Sequence, residues 1–104
     1  MKINEKLGIK KSLTQELINV FKKYVDIEKV VVFGSRAQGN FRYNSDIDMC
    51  IFGDSVINDK YKIKDDVDNL NTGFSFDILF YKEITNQKLK MNIEKDGVTV
   101  YEKG

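Results

Sequence analysis

The sequence contains no histidine, no proline and no tryptophan, and it has a single cysteine. Without histidine, the chain cannot use a serine–histidine or cysteine–histidine triad, an imidazole metal ligand or imidazole acid–base chemistry. The single cysteine, Cys50, excludes an internal disulfide and a metal–thiolate cluster, and its neighbours Met49 and Ile51 predict a buried core thiol. Any catalysis must therefore rely on carboxylates, lysine, tyrosine or metal ions.

Long apolar runs and an excess of one charge are also absent. The chain has 17 Lys and Arg against 16 Asp and Glu, so its net charge of +1 creates no field that recruits nucleic acid or anionic lipid. No stretch approaches the roughly 20 apolar residues of a membrane span, and residues 1–6 lack the apolar run of a signal peptide. We therefore expect a cytoplasmic protein with no direct nucleic-acid partner and no membrane partner.

Length, composition and apolar periodicity predict one α+β domain over residues 1–104. The predicted helices cover 12–24, 58–70 and 85–95, the predicted strands cover 29–33, 46–52, 74–80 and 98–101, and a loop over 34–45 can open with a short helical turn. Ser12 and Gln15 form a capping-box pattern at the first helix, and Gly97 is placed to end the last one. We expect a small mixed sheet with helices mainly on one face and carboxylates exposed at one edge.

Gly34 and Ser35 directly follow a β-branched run that predicts a buried strand. A glycine at this point lets the backbone approach a ligand, so that amide N–H groups and the serine hydroxyl can donate to phosphate oxygens. A plain tight turn is the alternative interpretation of this pair.

Asp46 and Asp48 stand two positions apart on a predicted strand, so their side chains point to the same face. Two neighbouring carboxylates repel each other unless a cation lies between them, which favours a divalent metal such as Mg²⁺. The alternative is that both side chains reach water at the end of the strand.

Asp77 interrupts an apolar strand between Phe76 and Ile78, where an isolated buried carboxylate would be costly. If its strand lies beside the strand of Asp46 and Asp48, three carboxylates can hold two metal ions. A salt bridge to a lysine or an exposed position would explain Asp77 equally well on its own.

Two arginines, Arg36 and Arg42, lie in the loop between the Gly34–Ser35 pair and the Asp pair. A guanidinium in this loop could hold triphosphate oxygens. The remaining charges, including Asp65, are scattered over predicted helices and are typical of a solvated face.

Taken together, Gly34-Ser35, ten intervening residues and Asp46-x-Asp48 resemble the signature of the DNA polymerase β-like nucleotidyltransferases. The strings Gly-Ser-Arg-Ala-Gln-Gly at 34–39 and Ser-Asp-Ile-Asp at 45–48 are similar to those of minimal nucleotidyltransferase (MNT) proteins, which often serve as antitoxins beside a HEPN-domain toxin. The resemblance covers nearly the whole chain.

The resemblance implies a role for each matching residue. Gly34 and Ser35 would hold the β and γ phosphates of ATP, Asp46 and Asp48 would bind two Mg²⁺ ions, and Asp77 would complete one metal site and help to deprotonate the acceptor. The acceptor in MNT antitoxins is typically a tyrosine of the partner toxin, which receives AMP.

One residue departs from the pattern, because Gln38 stands where relatives often carry a basic residue. Two alternatives to protein adenylylation remain open. The first is nucleotidyl transfer to a small hydroxylated compound, with a second subunit providing its pocket. The second is an antitoxin without catalysis that acts by covering its partner.

Overall fold

The computed structural model describes residues 7–42, 45–70 and 73–104. Its helices and strands are, in chain order, α1 (Lys11–Lys22), β1 (Lys29–Phe33), α2 (Ser35–Gln38), β2 (Ile47–Phe52), α3 (Lys60–Asp68), β3 (Phe76–Phe80), α4 (Gln87–Asp96) and β4 (Val98–Glu102). Short 3₁₀ segments, Val56–Asp59 and Tyr81–Glu83, precede α3 and follow β3. The predicted order is confirmed, including the helical turn that opens the loop. Residues 43 and 44 of that loop, and residues 1–6, lie outside the described residues.

The described strands form one four-stranded mixed sheet in the order β3-β2-β1-β4. Strand β1 runs antiparallel to both β2 and β4, whereas β2 and β3 are parallel. The mixed sheet is therefore confirmed, and β4 occupies one edge. Strand β3 forms the other edge.

Alternation along the strands gives the sheet two different faces. One face packs against α1 and α3, and its cluster of buried side chains includes Val30, Val32, Met49, Ile51, Ile78 and Phe80. The other face carries the smaller cluster of Val31, Cys50 and Ile93, the last of which comes from α4. The larger core thus lies on the α1 and α3 face, in agreement with the expectation that helices pack mainly on one side.

Cys50 is a free cysteine in that smaller cluster, with no exposed surface. Burial raises the pKa of its thiol to about 12. The prediction of a buried core thiol is confirmed.

The start of α1 differs from the prediction. The helix begins at Lys11, its N-cap is Lys10 without a side-chain cap, and Ser12 therefore lies inside the first turn. Buried Leu7 and Ile9 precede the helix, and their packing fixes where the chain enters it. The predicted capping box at Ser12 is wrong because core packing outweighs a capping preference of about 1 kcal/mol.

The ends of α4 follow local sequence signals. The Asn86 side chain accepts a hydrogen bond from the Leu89 N–H and caps the start of the helix. Gly97 follows the last turn, as predicted, and its N–H donates to the Ile93 carbonyl. Among the described residues, no helix combines the length and apolar character that crossing a bilayer requires.

Candidate functional site

Gly34 forms the turn between β1 and the short helix α2. Its backbone has φ 77° and ψ −150°, a region open essentially to glycine alone. A Cβ atom at this position would lie 2.5 Å from Oδ2 of Asp48. The turn therefore requires glycine for its conformation and for the close approach of the Asp48 carboxylate.

Asp48 lies in β2, which has β1 on one side and β3 on the other. It pairs with Phe33 across the antiparallel β1 and with Asp77 across the parallel β3. The adjacency of β2 and β3, which the sequence left as an assumption, is thus found. Residues 48 and 50 share a face of β2, so Asp48 lies on the side of Cys50 and faces away from the larger core.

Two neighbouring aspartates, Asp77 and Asp46, act electrostatically on Asp48. The pKa of Asp48 is raised above its usual range, first by burial, then by the negative charges of Asp77 and Asp46, and Arg36 opposes the shift. Ionised Asp48 is therefore held in a setting that is unfavourable for an anion. A cation beside Asp48 would reverse this effect.

Asp77 and Asp46 are both exposed. For Asp77 this is the exposed position that the sequence left open as an alternative, because β3 is an edge strand and the side chain reaches water. Asp77 lines a small cavity of about 120 Å³ together with Lys64 and Asp68 of α3. Asp46 precedes β2, which begins one residue later than predicted.

The carboxylates fit a divalent metal only in part. Within residues 7–42, 45–70 and 73–104, no three Asp, Glu, Cys or His side chains stand close enough together to hold an ion. The expected three-carboxylate cluster is therefore not formed in this arrangement. Mg²⁺ nevertheless binds through one or two carboxylates and completes its shell with water and substrate phosphates. Asp48 and Asp77 pair across β2 and β3, so they offer the two carboxylates that such a site needs.

Arg36 is placed differently from the prediction. Its side chain is 1% exposed and is the largest fully buried side chain among the described residues. Its guanidinium donates hydrogen bonds to the carbonyl oxygens of Leu7, Gly8 and Ser45. Burial lowers its pKa, and the charge of Asp48 opposes that shift. A guanidinium that is buried and bonded to three backbone carbonyls is badly placed to bind triphosphate oxygens outside the fold.

Two aromatic partners of Arg36 were missed by the sequence analysis. The rings of Phe41 and Phe74 lie 4.8 Å and 5.2 Å from its central carbon. Phe41 lies in the polar loop, and Phe74 precedes β3, although the sequence predicted that this strand begins at residue 74. Neither position signals in the sequence that its ring contacts Arg36.

The remaining predicted phosphate contacts lie around the same turn. Ser35 is partly exposed and is the first residue of α2. Arg42 is exposed, and its backbone N–H donates to the Ser45 hydroxyl. The structure thus brings Gly34, Ser35 and Asp48 together, whereas the Arg36 side chain points into the protein.

Comparison with known proteins identifies the class to which this arrangement belongs. The sequence profile described as "Polymerase beta, Nucleotidyltransferase" matches residues 15–104. The chain belongs to this nucleotidyltransferase family. No curated protein matches the sequence at a significant level.

Solved structures show that the fold is shared with chains from toxin–antitoxin complexes. A toxin–antitoxin crystal structure with AMP-PNP matches with a TM-score of 0.67 and 16% identity, over 86% of this chain and 73% of the other. The MntA-HepT toxin–antitoxin matches with a TM-score of 0.64 and 12% identity, over 90% and 74%. A Sulfolobus solfataricus protein assigned as a nucleotidyltransferase matches with a TM-score of 0.58 and 20% identity, over 88% and 79%. The expected nucleotidyltransferase fold is confirmed.

Proposed function

We propose that the chain transfers AMP from ATP to a hydroxyl group of a partner protein, and that it acts in the cytoplasm as an antitoxin against a HEPN-type toxin. Membership of the nucleotidyltransferase family supports the reaction. The toxin–antitoxin complexes that share the fold, one of them with AMP-PNP, support the nucleotide and a protein partner. The observation that carries the proposal is the register that aligns Asp48 with Asp77 beside Gly34.

The proposed reaction is an in-line displacement at the α-phosphorus of ATP. The acceptor hydroxyl oxygen forms a bond to this phosphorus, and pyrophosphate leaves with the electron pair of the broken phosphorus–oxygen bond. The exposed carboxylate of Asp77 accepts the hydroxyl proton. Two bound Mg²⁺ ions would supply positive charge at the attacking and leaving oxygens.

The chain's own groups would orient the nucleotide. Asp46, Asp48 and Asp77 would hold the metal ions, with the β and γ phosphates completing the coordination. The Gly34 turn lets the Asp48 carboxylate approach the backbone closely, and the Ser35 hydroxyl and nearby amides can donate to the phosphates. Arg42 is exposed in the same loop and could supply a further positive charge.

A second candidate function is an antitoxin that acts by binding alone. It is favoured by the finding that the described Asp, Glu and Cys side chains form no preassembled group of three for a metal. Gln38 is exposed at the phosphate turn and supplies no positive charge there. In this case the chain would cover its partner without modifying it.

One experiment separates these functions. The purified chain is incubated with ATP, Mg²⁺ and the protein encoded by the neighbouring reading frame, and the intact masses of both proteins are measured. Asp77→Asn and Asp48→Asn remove a negative charge at the site with almost no change in shape. Asp65→Asn makes the same exchange on the exposed side of α3 and serves as the matched control.

The proposed reaction predicts that the partner gains the mass of one or more AMP units with the wild type and with Asp65→Asn. We expect both site variants, and a sample without Mg²⁺, to lose at least about 100-fold in rate, as is typical when a metal ligand or catalytic base is removed. Transfer that survives in Asp48→Asn would refute the proposal. A tight complex without any change in mass would favour the binding-only function.

A further inference from the structure

The guanidinium of Arg36 connects two parts of the chain that meet at the proposed site. Arg36 directly follows Ser35 in the turn after β1, whereas Ser45 directly precedes Asp46. Both Nε and Nη2 of Arg36 donate to the Ser45 carbonyl oxygen, at 3.3 Å and 2.8 Å. The side chain therefore closes the loop over 36–45 at its base.

The other side of the same guanidinium is bound as well. Its Nη1 donates to the carbonyl oxygens of Leu7, at 2.9 Å, and of Gly8, at 3.2 Å. Gly8 has φ 68°, and a Cβ atom there would lie 2.4 Å from the Phe41 ring and 3.1 Å from Nη1. The rings of Phe41 and Phe74 lie next to the guanidinium. Contacts on so many sides restrict where the guanidinium, and with it the Ser45 carbonyl, can lie.

The chemistry of these contacts requires arginine specifically. A guanidinium is planar and presents five N–H donors in fixed directions, so it can serve three carbonyls and stack on aromatic rings. A lysine ammonium carries the same charge but has no flat surface and only three donors. Arg36→Lys therefore keeps the charge and removes the geometry.

We propose that Arg36 is a positioning residue that fixes the strand start with Asp46 and Asp48 relative to the Gly34–Ser35 turn. It acts through the Ser45 carbonyl and touches neither nucleotide nor acceptor. This inference rests on the proposed function for its catalytic consequence. Its structural consequence, local order at residues 45–48, can be measured without catalysis.

The test compares Arg36→Lys with Arg42→Lys, which makes the same exchange at an exposed position of the same loop. Amide hydrogen exchange is measured at residues 45–48, where the Ser45 and Ile47 N–H groups donate to backbone carbonyls, and at β1 as an internal reference. The values of kcat and KM for ATP are measured at a temperature where circular dichroism shows each variant folded.

We expect exchange at residues 45–48 to become about tenfold faster in Arg36→Lys while β1 stays unchanged, because only the local constraint is released. We expect kcat to fall at least about tenfold and KM for ATP to change less than about twofold, since the altered group does not bind the nucleotide. Arg42→Lys should leave exchange at residues 45–48 unchanged.

Other outcomes would overturn the inference. A raised KM with unchanged exchange would make Arg36 a phosphate ligand, and a lower stability with normal exchange and normal kcat would make it a purely structural residue. If Arg36→Lys fails to fold, Phe41→Leu loosens one side of the guanidinium and should give the same pattern more weakly; exchange like that of the wild type would then refute the inference. If the wild type transfers no AMP, the proposed function fails and the exchange measurement alone decides the role of Arg36.

Discussion

The Asp48 carboxylate fills the space beside Gly34, where a Cβ atom would lie 2.5 Å from Oδ2. The contact joins the turn after β1 to the middle of the proposed site on β2. Because Gly34 also has a positive φ of 77°, any side chain at this position would strain the backbone and displace the carboxylate. The shape of the turn and the position of Asp48 therefore depend on each other.

Replacement of Gly34 by alanine tests this dependence. We expect Gly34→Ala to lower the free energy of unfolding by on the order of 2–3 kcal/mol, because backbone strain and the clash with Asp48 add together. Gly39→Ala is the matched control, since Gly39 also has a positive φ, of 82°, but a Cβ atom there would meet nothing within 4 Å. Its cost should be about 1 kcal/mol. Urea denaturation measures both, and equal losses would contradict the contact.

The raised pKa of Asp48 predicts how stability depends on pH without metal. The folded state holds the Asp48 proton more tightly than the unfolded state, so stability falls as pH rises through the window between the two pKa values. Asp48→Asn removes this loss. In EDTA at pH 7 we expect the variant to be more stable than the wild type, with the difference vanishing at acidic pH. Urea denaturation across this pH range measures the difference. An Asp48→Asn variant that is less stable than the wild type at pH 7 would contradict the prediction.

Addition of Mg²⁺ should make the wild type more stable than Asp48→Asn. An ion that binds only the folded state stabilises it by mass action, so the midpoint of thermal unfolding should rise with Mg²⁺ in the wild type and much less in Asp48→Asn. Asp65→Asn should respond like the wild type because Asp65 lies on the exposed side of α3. Equal responses of Asp48→Asn and the wild type would argue against a metal ligand at position 48.

A hydrogen bond between Tyr24 and Asp66 joins α3 to the chain just after α1. Burial and Asp66 raise the pKa of Tyr24 to about 12, so its contribution is complete below pH ~10 and is lost as pH rises towards 12. We expect Tyr24→Phe to cost about 1 kcal/mol at pH 7 and to reduce the loss of stability between pH 8 and pH 12, measured by urea denaturation. Tyr61→Phe, at a site 79% exposed, is the control and should change neither value.

Features encoded by short stretches of sequence were the ones that could be predicted. Strand β1 has the predicted bounds because a β-branched run followed by glycine is a strong local signal. The same local logic placed Gly34 and Ser35 at a turn after a buried strand. Buried Cys50 followed equally directly from its apolar neighbours.

Features that depend on contacts between distant residues could not be predicted. Alternation along a strand cannot reveal that β2 and β3 are neighbours, nor that Asp77 lies on an edge and remains exposed. The burial of Arg36 depends on carbonyls from both ends of the amino-terminal half, which no pattern in the 34–39 string encodes. Arg36 was expected to face a triphosphate because it lies in the sequence between the Gly34–Ser35 pair and the Asp pair.

The parallel register of β2 and β3 makes the alignment of Asp48 with Asp77 a by-product of hydrophobic burial. A slip of β3 by one residue would turn Ile78 and Phe80 out of the larger core and turn Asp77 into it. The apolar side chains therefore fix the register of β3 and, with it, the alignment of the two carboxylates. The carboxylates themselves contribute little to that register. Single substitutions can therefore change the chemistry at this end of the sheet while the scaffold persists, so a variant of this chain that lost its carboxylates would keep its shape.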